Sequence, residues 1–133
     1  MNPTLLILLL TVAASLTGCA APDATSPSEP MGGAVFIDSA DLLIMESYPV
    51  QISLHIVGNL PTPCHEFWVS VGQPDDKNRI DATAWSESDP AAICAQVLQP
   101  FEENVSIPIA GQEDGTYSVW LNGELIGEFN YPG

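Results

Sequence analysis

The two histidines are the first residues whose chemistry suggests a function, since imidazole is a common ligand of copper and zinc. His55 and His65 could bind a metal ion together with Met45, Met31 or a carboxylate. The sequence contains no HExxH motif, no CxxC motif and no paired-histidine spacing. A copper or zinc site at the histidines is one hypothesis, and two solvent-facing histidines, which the missing motifs favour, are the alternative.

A second chemically capable group is the acidic segment at residues 75–81. Its Asp75, Asp76 and Asp81 supply carboxylate oxygens, the ligand type that calcium prefers. The segment lacks the alternating oxygen ligands and the fixed Gly and Glu of an EF-hand, and its two basic residues oppose cation binding. Calcium binding and a solvated hairpin loop are the two interpretations.

No motif predicts catalysis. The sequence has no GxSxG, no Ser-x-x-Lys and no glycine-rich phosphate loop. Glu102 and Glu103 are adjacent, so on a strand their side chains would point to opposite faces and could not act as a pair. We therefore expect a protein that is not an enzyme and that carries no cofactor.

The three tryptophans predict a binding surface. Trp68, Trp85 and Trp120 each alternate with the aliphatic residues of their own segment. If the aliphatic sets face a core, the tryptophans lie on outer faces and form an aromatic patch for a protein or a glycan. The alternative is that one or two of them fill the core.

An apolar segment at the N-terminus predicts export. Residues 5–10 are all Leu or Ile, and the apolar character continues to residue 16, the length of a signal-peptide h-region and too short to span a bilayer comfortably. The segment ends in the run Leu16-Thr17-Gly18-Cys19. This run resembles the bacterial lipobox, in which the signal peptide is cut before the cysteine and the thiol carries a diacylglycerol. We expect a signal peptide at 1–18 and a lipid anchor on Cys19.

The residues around the lipobox qualify this prediction. The n-region contains no Lys or Arg, so an ordinary signal peptide cut near Ala20 and Ala21 is the alternative. Lipid on Cys19 would place the protein outside the cytoplasm, anchored to the cell membrane or the outer membrane. Ala20 rather than Asp after the cysteine fits outer-membrane sorting in a bacterium with two membranes.

The two remaining cysteines predict a disulfide. Cys64 and Cys94 form an even pair in a protein expected outside the cytoplasm. The bridge would close a loop of about thirty residues and contribute roughly 3–4 kcal/mol in the chain-entropy model. A metal-binding pair and two free thiols are the alternatives.

Charge and composition divide the chain into a tether and one domain. Residues 19–33 are rich in Pro, Ser, Ala and Gly, which predicts a disordered tether, and residues 34–133 are long enough for one domain with its own core. The net charge is −15 with the histidines neutral, and Lys77 and Arg79 are the only lysine and arginine. This balance argues against binding nucleic acid or anionic lipid headgroups through the surface.

The domain has the residue pattern of short β-strands. Apolar and polar residues alternate with period two in six segments. The apolar sets begin at Val50, Phe67, Ile80, Ile93, Val105 and Tyr117. Pro108 suggests that the fifth segment is an edge or irregular strand, and Ser39–Met45 could be a helical turn or a first strand. Asn122-Gly123 predicts a type I′ hairpin, and the regular turn spacing predicts a β-sandwich.

Part of the domain resembles a known class of bacterial domains. The residues concerned are GNLPTPCH at 58–65, ICAQV at 93–97, QPF at 99–101 and GTYSVWLNG at 115–123. They resemble uncharacterised immunoglobulin-like domains of secreted proteins and lipoproteins of environmental bacteria, particularly the Chloroflexota. The resemblance implies an all-β, immunoglobulin-like sandwich of about seven strands and an extracytoplasmic location, and it implies no activity.

Three functions are compatible with these features. The first is a non-catalytic, lipid-anchored binding or adaptor module that contacts an envelope protein or a glycan. The second is a small-ligand or metal-ion binding lipoprotein, with calcium in the acidic segment or copper at the histidines. The third is an inhibitor of secreted proteases, for which the sequence contains no recognisable inhibitory motif.

Overall fold

The computed structural model describes residues 33–132, which form seven β-strands. The strands are β1 (Phe36–Met45), β2 (Gln51–Leu60), β3 (His65–Val71), β4 (Arg79–Ser88), β5 (Gln99–Ser106), β6 (Gly115–Leu121) and β7 (Glu124–Tyr131). Between residues 33 and 132 no helix has the length and apolar character needed to cross a membrane. The predicted signal peptide, Cys19, Met31 and most of the predicted tether lie outside the described residues.

The strands form two packed sheets, which confirms the predicted all-β, immunoglobulin-like sandwich. One sheet has the antiparallel order β1-β2-β5, and the other has the order β3-β4-β6-β7. The first order matches strands A, B and E of an immunoglobulin domain. In the second sheet β4 lies between β3 and β6 and runs parallel to β6, so this sheet differs from the antibody arrangement.

The core lies between the inner faces of the two sheets. β2 and β4 are the central contributors because each alternates buried and partly exposed residues along its length. The residues buried at this interface include Ile52, Leu54, Ile56, Ile80, Ala82, Ala84, Tyr117, Val119, Leu121 and Phe129. These are the apolar sets predicted to face inward, with Phe129 added from β7.

A tyrosine near the start of β6 supports the immunoglobulin-like character. The Tyr117 hydroxyl donates a hydrogen bond of 2.7 Å to the backbone oxygen of Glu113, four residues upstream. Immunoglobulin domains use the same contact, the tyrosine corner, where their sixth strand begins. The bond holds the segment between β5 and β6 against the start of β6.

One predicted strand is wrong. Residues 89–98 form an irregular loop, with Ile93 fully exposed and Val97 and Leu98 more than half exposed. Alternation does not make a strand without a pairing partner, and this segment joins neither sheet. The loop instead begins with a turn in which the Asp89 side chain accepts the Ala91 N–H at 2.8 Å.

Two open alternatives are settled by the edge strands. Ser39–Met45 belongs to strand β1 rather than to a helical turn. The Val105 segment contributes only residues 105 and 106 to the edge strand β5, which begins at Gln99 and ends at Ser106. Ile107 still donates its N–H to the Ile52 oxygen at 2.9 Å, whereas Pro108 has no N–H to continue the pairing.

The predicted disulfide and the predicted β-hairpin turn are confirmed. A disulfide joins Cys64, just before β3, to Cys94 in the loop at 89–98, with Cα atoms 6.0 Å apart. Asn122 and Gly123 form the two-residue hairpin between β6 and β7 with φ angles of 50° and 85°. The Asn122 side chain also bonds the backbone N–H and oxygen of Ala84 at 2.8 and 3.1 Å, which extends the β4–β6 pairing.

Gly33, the first described residue, forms a β-bridge with strand β4. Gly33 exchanges two backbone hydrogen bonds with Ser86 of β4, at 2.6 and 3.1 Å. Ser86 is fully buried, and its hydroxyl donates to the Ala34 oxygen. The chain therefore joins the domain at Gly33, the last residue of the predicted tether, at the end of the sandwich where β4 terminates.

Candidate binding surface

All three tryptophans lie on the outer face of the four-stranded sheet. Successive side chains of a strand point to opposite faces, and the inward positions of β4 are Ile80, Ala82 and Ala84. Trp85 therefore points outward, and the same alternation places Trp68 on β3 and Trp120 on β6 outside. The core is filled by the other residues of these strands.

The strand register brings two of the tryptophans together. Trp68 on β3 stands directly opposite Trp85 on β4. Residues in directly opposite positions have Cβ atoms about 4.5–5.5 Å apart and interact. Trp68 is 47% exposed, a large value for an indole on a regular strand, whereas Trp85 is half-buried.

The next outward position on each strand is a glutamate. Glu66 stands directly opposite Glu87, and both are exposed. The Trp85 indole N–H donates to a carboxylate oxygen of Glu87 at 2.9 Å, which ties the glutamate pair to the tryptophan pair. We call Glu66, Trp68, Trp85 and Glu87 the tryptophan–glutamate patch. A surface depression of about 410 Å³ adjoins it, lined by the two glutamates with Cys64, Ser88 and Asp89.

Trp120 is separate from this patch and is covered by an arginine. Trp120 stands opposite Asp81, which precedes Trp85 by four residues on β4, or about 13 Å. The Arg79 guanidinium lies 4.0 Å from the centre of the Trp120 ring, a cation–π contact. Arg79 also donates to both carboxylate oxygens of Asp81 at 2.7–3.0 Å. The hydrogen bonds from Arg79 to Asp81 raise the pKa of the guanidinium.

Two of the three aspartates of the acidic segment, Asp75 and Asp81, have partners within the chain. One oxygen of Asp75 accepts the backbone N–H groups of Lys77 at 2.8 Å and Arg79 at 2.9 Å. These bonds, that from Arg79 first, lower the pKa of Asp75. Asp81 is held by Arg79, and Asp76 is exposed. The structure therefore uses Asp75 to shape the turn before β4.

The two histidines lie on different sheets. His55 is on the outer face of β2, with Nδ1 3.1 Å from the side-chain oxygen of Asn104 and Nε2 3.5 Å from a carboxylate oxygen of Glu102. His65 begins β3, with Nδ1 2.8 Å from the Thr62 hydroxyl. Between residues 33 and 132, no three His, Cys, Asp or Glu side chains are arranged to hold a metal ion.

Comparison with known proteins places the domain in a family. A family model described as the ORF11 beta-sandwich domain matches residues 54–131. The chain belongs to this family. The match begins within β2 and ends at the last residue of β7, so this ORF11 β-sandwich domain contains the whole tryptophan–glutamate patch. No curated protein and no solved structure matches the chain.

The glutamate pair of the ORF11 β-sandwich domain was missed by the sequence reasoning. The signal that could have found it is a pair of mirrored motifs, Glu66-x-Trp68 on one strand and Trp85-x-Glu87 on the next. An antiparallel hairpin that sets the two tryptophans opposite each other must also set the two glutamates opposite each other. The motifs become informative only once the register is known.

Proposed function

We propose that this protein is a non-catalytic, lipid-anchored binding module outside the cytoplasm, which holds an envelope protein or a glycan on the outer face of its four-stranded sheet. The observation that carries the proposal is the cross-strand pair of Trp68 and Trp85, with Trp68 nearly half exposed. Tryptophan is enriched at the centres of interfaces because it buries a large apolar surface and offers an N–H donor.

The tryptophan pair stands on a rigid platform. Both side chains arise from regular, paired strands whose opposite face is the core. The Cys64–Cys94 disulfide fixes the loop at 89–98 to the start of β3. A surface that is held in one conformation loses little entropy when a partner binds. Location outside the cytoplasm is supported by the lipobox-like run at Cys19 and by a disulfide, which persists in oxidising compartments.

Position-specific photo-crosslinking in intact cells of the source organism tests the proposal. The full chain would carry a photoreactive phenylalanine derivative at position 68 or, as a matched control, at position 41. Asp41 is exposed on β1 of the other sheet and stands opposite His55 of the outer face. We expect a discrete adduct from position 68 that is absent from position 41. Equal adducts at both positions, or none at position 68, would remove the proposal.

A further inference from the structure

The positions of the two glutamates and two tryptophans indicate which chemical group of a partner would fit the patch. Glu66 and Glu87 bring two carboxylates to directly opposite positions, and like charges at such positions destabilise a sheet. The tryptophan pair is two residues further along the same face, about 6.6 Å away. A single cationic group of moderate size would therefore reach both an indole face and a carboxylate.

Within residues 33–132, no ion pair neutralises this glutamate pair. The sequence has one lysine, Lys77, and one arginine, Arg79, and the ring Nδ1 of His65, the neighbour of Glu66, lies 2.8 Å from the Thr62 hydroxyl. Arg79 lies eight residues before Glu87 on β4, about 26 Å along the strand, and Lys77 is in the turn that precedes Arg79. Among residues 33–132 the ion pairs are His55–Glu102 and Arg79–Asp81, and neither involves the patch.

Elsewhere on the same sheet, a tryptophan and a carboxylate together hold a cation. Trp120 and Asp81 are neighbours on the outer face, and together they hold the Arg79 guanidinium by ring stacking and by a hydrogen-bonded ion pair. Guanidinium suits this environment because it is planar, stacks on aromatic rings and donates to a carboxylate through a fork of N–H groups. The patch presents the same groups, indole and carboxylate, toward solvent.

Resting on the proposed function, we propose that the partner of the tryptophan–glutamate patch is a protein segment that presents an arginine or lysine side chain. The side chain stacks on Trp68 and forms an ion pair with Glu66 and Glu87. The net charge of −15 on each copy opposes a second copy of this chain as the partner, since two copies repel each other. The same negative charge attracts a basic partner and speeds its association.

The test measures binding of the peptide acetyl-Gly-Arg-Gly-Arg-Gly-amide to the full chain by following the indole N–H signal of Trp85 in NMR spectra. The comparison peptide has citrulline in place of arginine, which keeps the shape and removes the charge. We expect a saturable shift with the arginine peptide and none with the citrulline peptide. Equal binding of both peptides, or no binding of either, would overturn the inference.

Two variants separate a local site from general attraction to an acidic protein. Glu66→Gln with Glu87→Gln is expected to weaken arginine-peptide binding about tenfold, as loss of a charge-assisted hydrogen bond would. The control, Glu113→Gln with Asp114→Asn, removes the same charge from an exposed loop at the other end of the sandwich and should change binding less than about twofold. Equal losses in the two variants would contradict a local site. The first variant should fold at least as stably as the parent, since it relieves a like-charge contact.

The outcomes also separate this inference from the proposed function. An adduct at position 68 without arginine-peptide binding would leave a binding module standing and remove the cationic partner. A soluble muropeptide that shifts the Trp85 signal when the arginine peptide does not would overturn the inference in favour of a glycan.

Discussion

At the scale of single residues, the alternation of side chains was predictable but their neighbours were not. The outward direction of Trp68, Trp85 and Trp120 follows from period two and the aliphatic residues between them. That Trp68 meets Trp85, and that Trp120 meets Arg79, depends on register and strand order. A shift of one residue would turn every side chain of a strand to the other face, so register had to come from the structure.

Asn122 provides a residue-scale test of the hairpin. Its side chain makes two hydrogen bonds to Ala84, and its φ of 50° lies in the left-handed region. We expect Asn122→Ala to lower the free energy of unfolding by about 1–3 kcal/mol through lost hydrogen bonds and backbone strain. Urea unfolding of the purified protein measures the loss. Asn122→Gly keeps the backbone preference and should cost less; a change below about 0.5 kcal/mol for the alanine variant would contradict this account.

Asp75 provides a pH-dependent test at the same scale. Its pKa is lowered from the ordinary value of 3.8, chiefly by the Arg79 N–H, so the folded protein favours the carboxylate more than the unfolded chain does. Its contribution to stability is therefore present above the unfolded pKa and is lost as the pH falls through the folded pKa. We expect the stability difference between the parent and Asp75→Asn to shrink as the pH falls from 5 toward about 2. A stability difference that stays constant in urea titrations over this pH range would contradict the stabilisation of the turn by the Asp75 carboxylate.

At the scale of elements, the alternation of apolar and polar residues predicted most strands. It failed for a segment that has no neighbouring strand to pair with. The segments at Val50, Phe67, Ile80 and Tyr117 became β2, β3, β4 and β6. Ile93–Leu98 has the same alternation but joins neither sheet, and the disulfide at Cys94 holds this segment beside the start of β3. The parallel pairing of β4 with β6 could not be read from the sequence either, because it joins strands separated by β5 of the other sheet.

The disulfide provides an element-scale prediction. It links positions separated by 30 residues and holds an irregular loop to the first residues of β3. We expect Cys64→Ser with Cys94→Ser to lower the free energy of unfolding by about 3–4 kcal/mol, chiefly through greater entropy of the unfolded chain. Urea unfolding with and without a reducing agent measures the effect. The parent should lose stability on reduction while the variant should not; equal responses to the reducing agent would show that the bridge is absent.

At the scale of the whole molecule, charge and anchoring determine which partners can approach. The domain carries many carboxylates and two basic side chains, one of which stacks on Trp120. Gly33 enters the sandwich beside Ser86, near the end of β4 that carries Glu87. A lipid anchor on Cys19 would therefore connect to the end of the domain that holds the tryptophan–glutamate patch.

Lipid anchoring gives a prediction for the intact protein. Expressed in a bacterium that lipidates such proteins, the parent should partition into the detergent phase of a cloud-point extraction. Cys19→Ser should move it to the aqueous phase, because acyl chains contribute about 0.8 kcal/mol per buried CH₂. Cys64→Ser with Cys94→Ser is the matched control and should stay with the detergent. A parent protein recovered in the aqueous phase would refute the anchor.

The central claim is that a partner covers the outer face of the four-stranded sheet, and hydroxyl-radical footprinting tests it most directly. The oxidation of Trp68 would be measured in intact envelopes and in the purified full-length protein. Tyr48, fully exposed and on the segment between β1 and β2, serves as the internal reference. The account predicts that Trp68 is protected several-fold in envelopes while Tyr48 reacts equally in both samples. Equal oxidation of Trp68 in both samples would contradict it.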